Sequence, residues 1–113
     1  MKRDSTNNEI RKGLLVLAVL QLLKNKRLYT AELLERLSST EFTTQEGTLY
    51  PLLSRLKREG LIDHDWVESS SGPPRKYYRL SDKGQKYCES LLKYMETLHD
   101  QLLALNGEET ETK

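Results

Sequence analysis

Leucines recur at three- and four-residue spacing along most of this chain, a spacing typical of amphipathic helices. In the stretch 43–62 they form one apolar face, made of Leu49, Leu52, Leu53 and Leu56. The polar residues between them predict a helix that is buried on one side and open on the other. We expect it to begin near Thr44, because Thr43 and Glu46 have capping-box spacing, and to end at Gly60.

One residue breaks the helical pattern of this stretch. Pro51 removes a backbone donor and directs its ring at the carbonyl of Gly47, at a cost of roughly 3 kcal/mol. A local rule broken inside an otherwise consistent helix is typical of a functional site. A tolerated kink in a core helix is the alternative.

Two further helices are predicted before this one. Residues 9–23 are apolar all round, which indicates a helix buried on more than one side, with its second face expected against another subunit. Residues 31–37 predict a short second helix capped by Thr30, followed by a turn at 38–43. Two short helices with a tight connection indicate a helix-turn-helix. Residues 1–8 are polar and are expected to be loose.

The pattern then changes to that of a β-hairpin. Residues 61–68 and 75–80 alternate as two strands, and the Ser, Gly and Pro cluster at 69–74 predicts a long polar turn between them. Tyr77 and Tyr78 are adjacent in the second strand, so they point to opposite faces and at least one is expected in the core.

A last helix is expected from Asp82 to Leu105, capped by Ser81 or Asp82. Its apolar residues alternate steps of three and four, which is the period of a coiled-coil seam: Cys88, Leu91, Met95, Leu98, Leu102 and Leu105. We predict that this seam joins two subunits together with Leu14 and Leu17 of the first helix. The alternative is a long amphipathic helix that lies on its own domain.

Charge is distributed unevenly over the 113 residues, although the net charge is only +1. Residues 1–27 hold seven Lys or Arg against two Asp or Glu, whereas residues 89–113 hold two against six. A basic start and an acidic end indicate separate roles for the two ends. Residues 106–113 are expected to form a disordered acidic tail.

The chain is expected to be a soluble, cytoplasmic protein without a signal peptide. Its single cysteine, Cys88, excludes an intrachain disulfide and fits a reducing compartment; a buried inert thiol and a redox switch are its two possible roles. The longest uncharged apolar run, residues 13–23, would span only ~16 Å as a helix, against ~30 Å of bilayer hydrocarbon. No membrane partner is therefore predicted.

The order of elements predicts a mainly α fold with a small β-hairpin, a winged helix-turn-helix over residues 9–80 followed by a dimerisation helix at 81–105. The whole chain, 1–113, is expected to be a single domain. In such a fold the third helix enters the DNA major groove, and the hairpin reaches phosphates or the minor groove.

Side chains suited to double-stranded DNA lie on both predicted elements. They are Thr44, Gln45, Thr48, Tyr50 and Arg55 on the third helix, and Arg75 and Lys76 near the hairpin tip. Hydroxyl, amide and guanidinium groups can donate to phosphates or base edges. The alternatives are a core position for the Tyr50 ring and a solvated ion pair between Arg55 and Glu59.

Catalysis is not expected. The sequence has no Gly-rich phosphate loop and no metal-ligand spacing, so neither a metal nor another cofactor is predicted. Asp63, His64 and Asp65 form one candidate cluster, but in a strand the two carboxylates face away from His64. The rival to DNA binding is a protein-interaction module that uses the winged helix and the seam.

Several motifs of the third helix and the hairpin occur together in one known family. They are Gly47-Thr48-Leu49-Tyr50-Pro51-Leu52-Leu53, Arg55-Leu56, Gly60-Leu61-Ile62, Gly72-Pro73, Arg75-Lys76-Tyr77-Tyr78-Arg79-Leu80-Ser81 and Gly84. In these motifs the sequence resembles the PadR family of bacterial transcriptional regulators, in its branch with one C-terminal helix. The resemblance implies a homodimer that binds an inverted-repeat operator and usually represses. It implies DNA contacts at Tyr50, Arg75 and Lys76, and near Tyr29 and Thr30.

The resemblance also raises a small hydrophobic or aromatic effector, because some members bind such compounds between their subunits. One group of members stacks the ligand on a Trp of the last helix, whereas Trp66, the only Trp here, lies in the predicted hairpin. The candidate effector residues in this sequence are Leu14, Ala18, Met95 and His99. A packed dimer core without ligand is the alternative.

Overall fold

A computed structural model describes residues 4–107. Its elements in chain order are α1 (Ser5–Leu22), α2 (Thr30–Ser38), α3 (Glu46–Arg58), β1 (Ile62–Ser69), β2 (Gly72–Leu80) and α4 (Asp82–Ala104). This is the predicted winged helix-turn-helix with a long C-terminal helix. The helix α1 begins at Ser5, so the prediction of a loose segment up to residue 8 is wrong for 5–8. Of the predicted acidic tail, residues 108–113 lie outside the described residues.

The four helices and the hairpin share one apolar core. Its fully buried side chains come from every helix, from β1 and from the connection between α1 and α2: Val19, Leu20, Leu23, Leu28, Leu33, Leu49, Leu53, Leu56, Ile62 and Cys88. Each fully buried leucine contributes about 2 kcal/mol relative to an exposed one. The core fixes the orientation of α3, because Leu49, Leu53 and Leu56 all point into it and leave its opposite face in solvent.

The helix α3 ends at Arg58 and is terminated by Gly60, the predicted stop residue. Gly60 has a φ of 77°, and the N–H of Leu61 donates to the carbonyl of Leu56 at 3.0 Å, which is the long bond of a Schellman motif. The Ser81 hydroxyl donates to the Gly60 carbonyl at 2.6 Å and accepts from the N–H of Gly84 at 2.9 Å. Ser81 thus caps α4, as predicted, and ties its start to the end of α3.

The start of α3 differs from the prediction. The helix begins at Glu46, and the residue before it, Gln45, is extended and makes no side-chain cap bond. Residues 43–45 lie outside the helix, so Thr43 stands too far from the first turn to cap it. The predicted capping box between Thr43 and Glu46 is therefore wrong.

The cap of α2 also differs. Thr30 is the first residue of the helix rather than its cap, and Tyr29 occupies the capping position. The Glu32 carboxylate accepts a hydrogen bond from the backbone N–H of Tyr29 at 3.1 Å. This bond anchors Tyr29 at the start of α2 and leaves the Thr30 side chain free of a capping role.

The hairpin is tighter than predicted. The strands β1 and β2 pair antiparallel and continue to Ser69 and Gly72, so only two residues remain for the turn. The predicted long turn at 69–74 is wrong, because Pro73 and Pro74 lie within β2. Both strands of a two-stranded sheet are edges, where the missing N–H of a proline is tolerated.

The helix α4 has 23 residues and is about 34 Å long. Its first half packs on the rest of the chain, with Gly84 and Cys88 buried and Leu91 and Leu92 half-buried. From Lys93 to its end every residue of α4 is exposed. Within residues 4–107, no helix is both long enough and apolar enough to cross a membrane.

Candidate nucleic-acid interface

A backbone bridge joins the start of α2 to the hairpin. The N–H of Leu28 donates to the Tyr78 carbonyl at 3.1 Å, and the N–H of Tyr78 donates to the Leu28 carbonyl at 2.8 Å. Both side chains are buried in the core. The bridge holds Tyr29 and Thr30 beside β2, a proximity that no local sequence pattern predicted.

A cleft of about 390 Å³ opens between the start of α2, the first half of α3 and the hairpin. We name it the wing cleft. Five of the predicted DNA contacts line it, namely Tyr29, Thr30, Tyr50, Arg75 and Lys76. Tyr50 is 49% exposed, so its ring lies outside the core. The wing cleft thus combines two phenolic rings, a hydroxyl and two cations on one open surface.

Arg75 is held in place by aromatic rings. Its guanidinium carbon lies 4.5 Å from the centre of the Tyr29 ring, in cation–π geometry. The Tyr29 ring meets the Tyr77 ring edge to face at 5.2 Å, and the Arg27 guanidinium lies 5.6 Å from the Tyr77 ring. Arg75 makes no ion pair among residues 4–107, so its charge is available to an anion.

Lys76 lies over two other rings on the opposite face of β2. Its Nζ is 5.4 Å from the Trp66 ring centre and 5.9 Å from that of Tyr78. Burial, followed by the nearby Tyr50, raises the pKa of Tyr78, so this hydroxyl keeps its proton. Trp66 is 64% exposed and lines the wing cleft, yet it was not among the predicted contacts. The signal that could have found it is its position opposite Lys76 in the strand register.

The remaining predicted contacts of α3 lie elsewhere. Thr44 and Thr48 line a second cleft, of about 300 Å³, which α1 and α3 share and to which α1 contributes Arg11 and Lys12. We name it the α1–α3 cleft. Gln45 is exposed and lies between Thr44 and Thr48 in the amino-acid sequence. Seven of the nine predicted contacts therefore lie in the two clefts, five in the wing cleft and two in the α1–α3 cleft. Lys12 is a cation that the prediction missed.

Arg55 borders neither cleft. Its Nε lies 3.7 Å from the Glu59 carboxylate one turn further along α3, and both side chains are half exposed. The structure thus contains the solvated ion pair that was the alternative for Arg55.

The back face of the hairpin carries an ionic network. Arg79 Nε donates to Asp65 at 3.0 Å, and Arg79 Nη2 lies 3.8 Å from Asp63. Arg27 approaches Asp65 at 3.5 Å. The Arg79 bond holds the pKa of Asp65 below its usual value, and the backbone N–H of His64 does the same for Asp63. The His64 ring instead packs against Trp66 and Tyr78 on the opposite face of the hairpin, as strand alternation predicted. Within the described residues, no cluster of three or more His, Cys, Asp or Glu could hold a metal ion.

An apolar groove of about 540 Å³ runs between α1 and the second half of α4. We name it the α1–α4 groove. It brings together most of the predicted interface and effector residues, namely Leu14, Leu17, Leu91, Met95, Leu98, His99 and Leu102. Ala18 and Leu105 do not line it. Leu102 is 68% exposed and Leu105 is 79% exposed.

Cys88 lies inside the core of its own chain. It is fully buried, and its thiol donates to the Gln21 side-chain oxygen at 3.1 Å. Burial raises the pKa of the thiol, so the reactive thiolate is disfavoured. These surroundings fit a buried inert thiol rather than a redox switch, and they place Cys88 outside the α1–α4 groove.

The fold and the two clefts beside α3 define a winged helix-turn-helix protein, a class whose third helix and wing face nucleic acid. Residues 19–90 match the Transcriptional regulator PadR-like family, which is more than half of the chain. The chain belongs to this family. It is a transcriptional regulator of the PadR type, from a family of regulators rather than of enzymes.

Several known proteins are similar to this chain. A PadR family transcriptional regulator from Eggerthella lenta is 32% identical and has a TM-score of 0.83, with 93% of this chain and 92% of that chain covered. An uncharacterised protein from Lysinibacillus sphaericus is 32% identical over 89 residues, which are 76% of this chain and 82% of that protein. The PadR of Bacillus subtilis, solved in complex with operator DNA, shares the fold at 23% identity and a TM-score of 0.65, over 70% of this chain and 46% of that chain.

Proposed function

We propose that this PadR-type regulator is a homodimeric repressor that acts in the cytoplasm and binds an inverted-repeat operator in double-stranded DNA. The observation that carries the proposal is the wing cleft, where Tyr29, Thr30, Tyr50, Arg75 and Lys76 converge. The operator complex of the Bacillus subtilis relative supports DNA as the partner of this fold.

The first half of α3 enters the major groove in this proposal. Gln45 just before the helix, Thr48 in its first turn and Tyr50 two residues further are exposed, and they can reach base edges and phosphates. Arg75 and Lys76 contact the DNA phosphate backbone beside the groove, where they position the protein rather than read the base sequence. In a dimer, two copies of α3 contact half-sites about 34 Å apart.

A second copy of the chain covers the α1–α4 groove in this proposal. Ile10 and Leu98 are 55% and 42% exposed there, and Leu102 and Leu103 on α4 are still more exposed. Monomeric proteins rarely expose contiguous apolar patches larger than a few hundred Å². Twofold pairing would bury this surface against its equivalent, with α4 of one copy against α1 and α4 of the other.

Release from DNA is assigned to a small hydrophobic or aromatic effector in the same groove. Leu14, Met95 and His99 line it and offer an apolar wall with one polar ring, whereas Ala18 lies outside it. An effector that prefers a different packing of the two copies would change the separation of their α3 helices and so weaken operator binding. Titration of the dimer–operator complex with planar aromatic compounds tests this step by loss of the complex.

The experiment that tests the main proposal is a mobility shift over a salt series with the DNA upstream of the protein's own gene. Tyr50→Ala should weaken binding to this upstream DNA. Lys76→Ala should weaken binding to all DNA sequences and lower the salt dependence of binding. Lys86→Ala is the matched control, because Lys86 is exposed on α4 and borders neither cleft beside α3. If the folded dimer ignores this DNA and genomic fragments at low salt, the repressor proposal fails and a protein-interaction module takes its place.

A further inference from the structure

A smaller pocket of about 180 Å³ lies where the second half of α3 meets the hairpin. We name it the basic notch. Its polar border consists of Ser54, Lys57, Arg58, His64 and Lys76, and the mostly buried Leu53 and Tyr78 complete its lining. None of the first four was among the predicted contacts. Three residues of the notch, Ser54, Lys76 and Tyr78, also line the wing cleft.

The charge of the basic notch differs from that of the two clefts beside α3. Glu41 borders the α1–α3 cleft and Glu46 borders the wing cleft, whereas no carboxylate among residues 4–107 borders the notch. Arg58 makes no ion pair within the described part of the chain. Lys57 is partly neutralised, since its Nζ lies 3.7 Å from Asp63 on the back face of the hairpin. The notch therefore carries an excess of positive charge.

The basic notch continues the surface of the wing cleft along α3. Tyr50, Ser54 and Arg58 follow one another at four-residue intervals, so they lie on one face of the helix. Ser54, Lys76 and Tyr78 line both sites and connect them. A DNA strand that contacts Tyr50 would pass first Ser54 and then Arg58.

We propose that the basic notch binds a phosphate group, which the DNA backbone supplies. The inference rests on the proposed DNA binding. Ser54, Arg58 and Lys76 provide O–H and N–H donors, and His64 has at least one N–H donor in either protonation state. Arg58 can engage two phosphate oxygens at once. The volume lies below the ~300–1,000 Å³ of small-molecule sites, which suits one group of a polymer rather than a whole ligand.

The first test compares Arg58→Gln with Lys86→Gln, which removes the same charge from an exposed position on α4. Arg58→Gln should weaken binding to operator and unrelated DNA alike, on the order of threefold to tenfold. It should also lower the slope of log K against log salt by about 0.9, as expected for one lost phosphate contact. Equal affinities and slopes for Arg58→Gln and Lys86→Gln would overturn the inference and leave the proposed DNA binding intact.

The second test follows the imidazole signals of the two histidines by NMR. His64 borders the notch, whereas His99 lies in the α1–α4 groove and serves as an internal control. Duplex DNA should shift the His64 signals and leave those of His99 unchanged. In Arg58→Gln the shift of the His64 signals should disappear. Saturable shifts of His64 with pyrophosphate but none with DNA would support a phosphate site and overturn its DNA source. No His64 response to either probe would overturn the site itself.

Discussion

The two halves of α4 have the same apolar period and opposite surroundings. In the first half, Gly84 and Cys88 are buried against α1, β2 and the end of α3. In the second half, Leu98 and Leu102 occupy equivalent positions of the pattern and are 42% and 68% exposed. A 3.5-residue period thus indicates that a helix face is apolar, but it does not tell which chain covers that face. Substitutions in each half of α4 can test this difference.

The largest effect on stability is expected for Gly84→Ala in the first half. A Cβ at this position would overlap the backbone carbonyl of Leu61 and press on the Leu80 side chain. A backbone carbonyl cannot swing aside as a flexible side chain can, so we expect a loss of about 3 kcal/mol in the free energy of unfolding. Urea denaturation followed by circular dichroism measures it.

Gly47→Ala is the matched control for this substitution. A Cβ at Gly47, in the first turn of α3, meets nothing within 4 Å, so alanine should stabilise the helix by at most roughly 0.5–1 kcal/mol. Opposite signs for the two variants are expected. A Gly84→Ala protein as stable as the parent would show that the first half of α4 does not depend on close packing.

Leu98→Glu should disrupt dimer pairing through the second half of α4 without unfolding the chain. The new carboxylate would lie in the α1–α4 groove, twice in a symmetric dimer, and raise the dissociation constant on the order of 100-fold or more. Sedimentation over a concentration series measures the change, and the far-UV dichroism should stay that of a helical protein. Thr97→Glu adds the same charge outside the groove and should leave the dimer intact. A Leu98→Glu dimer as tight as the parent would refute the proposed interface.

Ser81→Ala, at the start of the first half of α4, is expected to lower the free energy of unfolding by a smaller amount. It removes the cap bond from the Gly84 N–H and the bond to the Gly60 carbonyl, at a cost of about 1–2 kcal/mol. Chemical denaturation at fixed protein concentration measures the loss. Ser90→Ala, an exposed position in the same helix, should change stability by less than about 0.5 kcal/mol. Equal stabilities of the two variants would contradict the capping role.

The smallest effect concerns Cys88 and pH. Because burial raises its pKa, the folded chain keeps this proton at pH values where the unfolded chain releases it. The associated stability is complete below the unfolded pKa of about 8.5 and decreases as the pH rises above it. The decline in urea midpoint between about pH 8 and 9.5 should be shallower in Cys88→Ala than in the parent. Parallel pH profiles would show that the thiol does not contribute.

Much of the fold could be predicted because local chemistry determines it. The period of the leucines, the glycine at position 60 and the serine at 81 each act on neighbouring residues, and they fixed the order of elements, the end of α3 and the start of α4. The hairpin turn was misjudged because Pro73 and Pro74 usually indicate a turn. Only the two-stranded context makes them acceptable within β2.

The candidate site was harder to predict because it depends on contacts between distant residues. The motif around Tyr50 and the basic pair of the hairpin were recognisable, and the wing cleft contains them. Arg58 and His64 were missed because the basic notch forms only when α3 packs on the hairpin. Arg55 was preferred instead, although Glu59 one helical turn away was the local signal that its charge is neutralised.

The Leu28–Tyr78 bridge has a further consequence for the order in which the chain folds. It closes a loop of fifty residues, and such a closure costs roughly 3–4 kcal/mol of chain entropy. Contacts this distant form late in two-state folding, after the local helices. A nascent chain that has emerged only through α3 therefore carries Tyr50 and Tyr29 but lacks the wing cleft between them. Competence for DNA binding would arise only when β2 has left the ribosome.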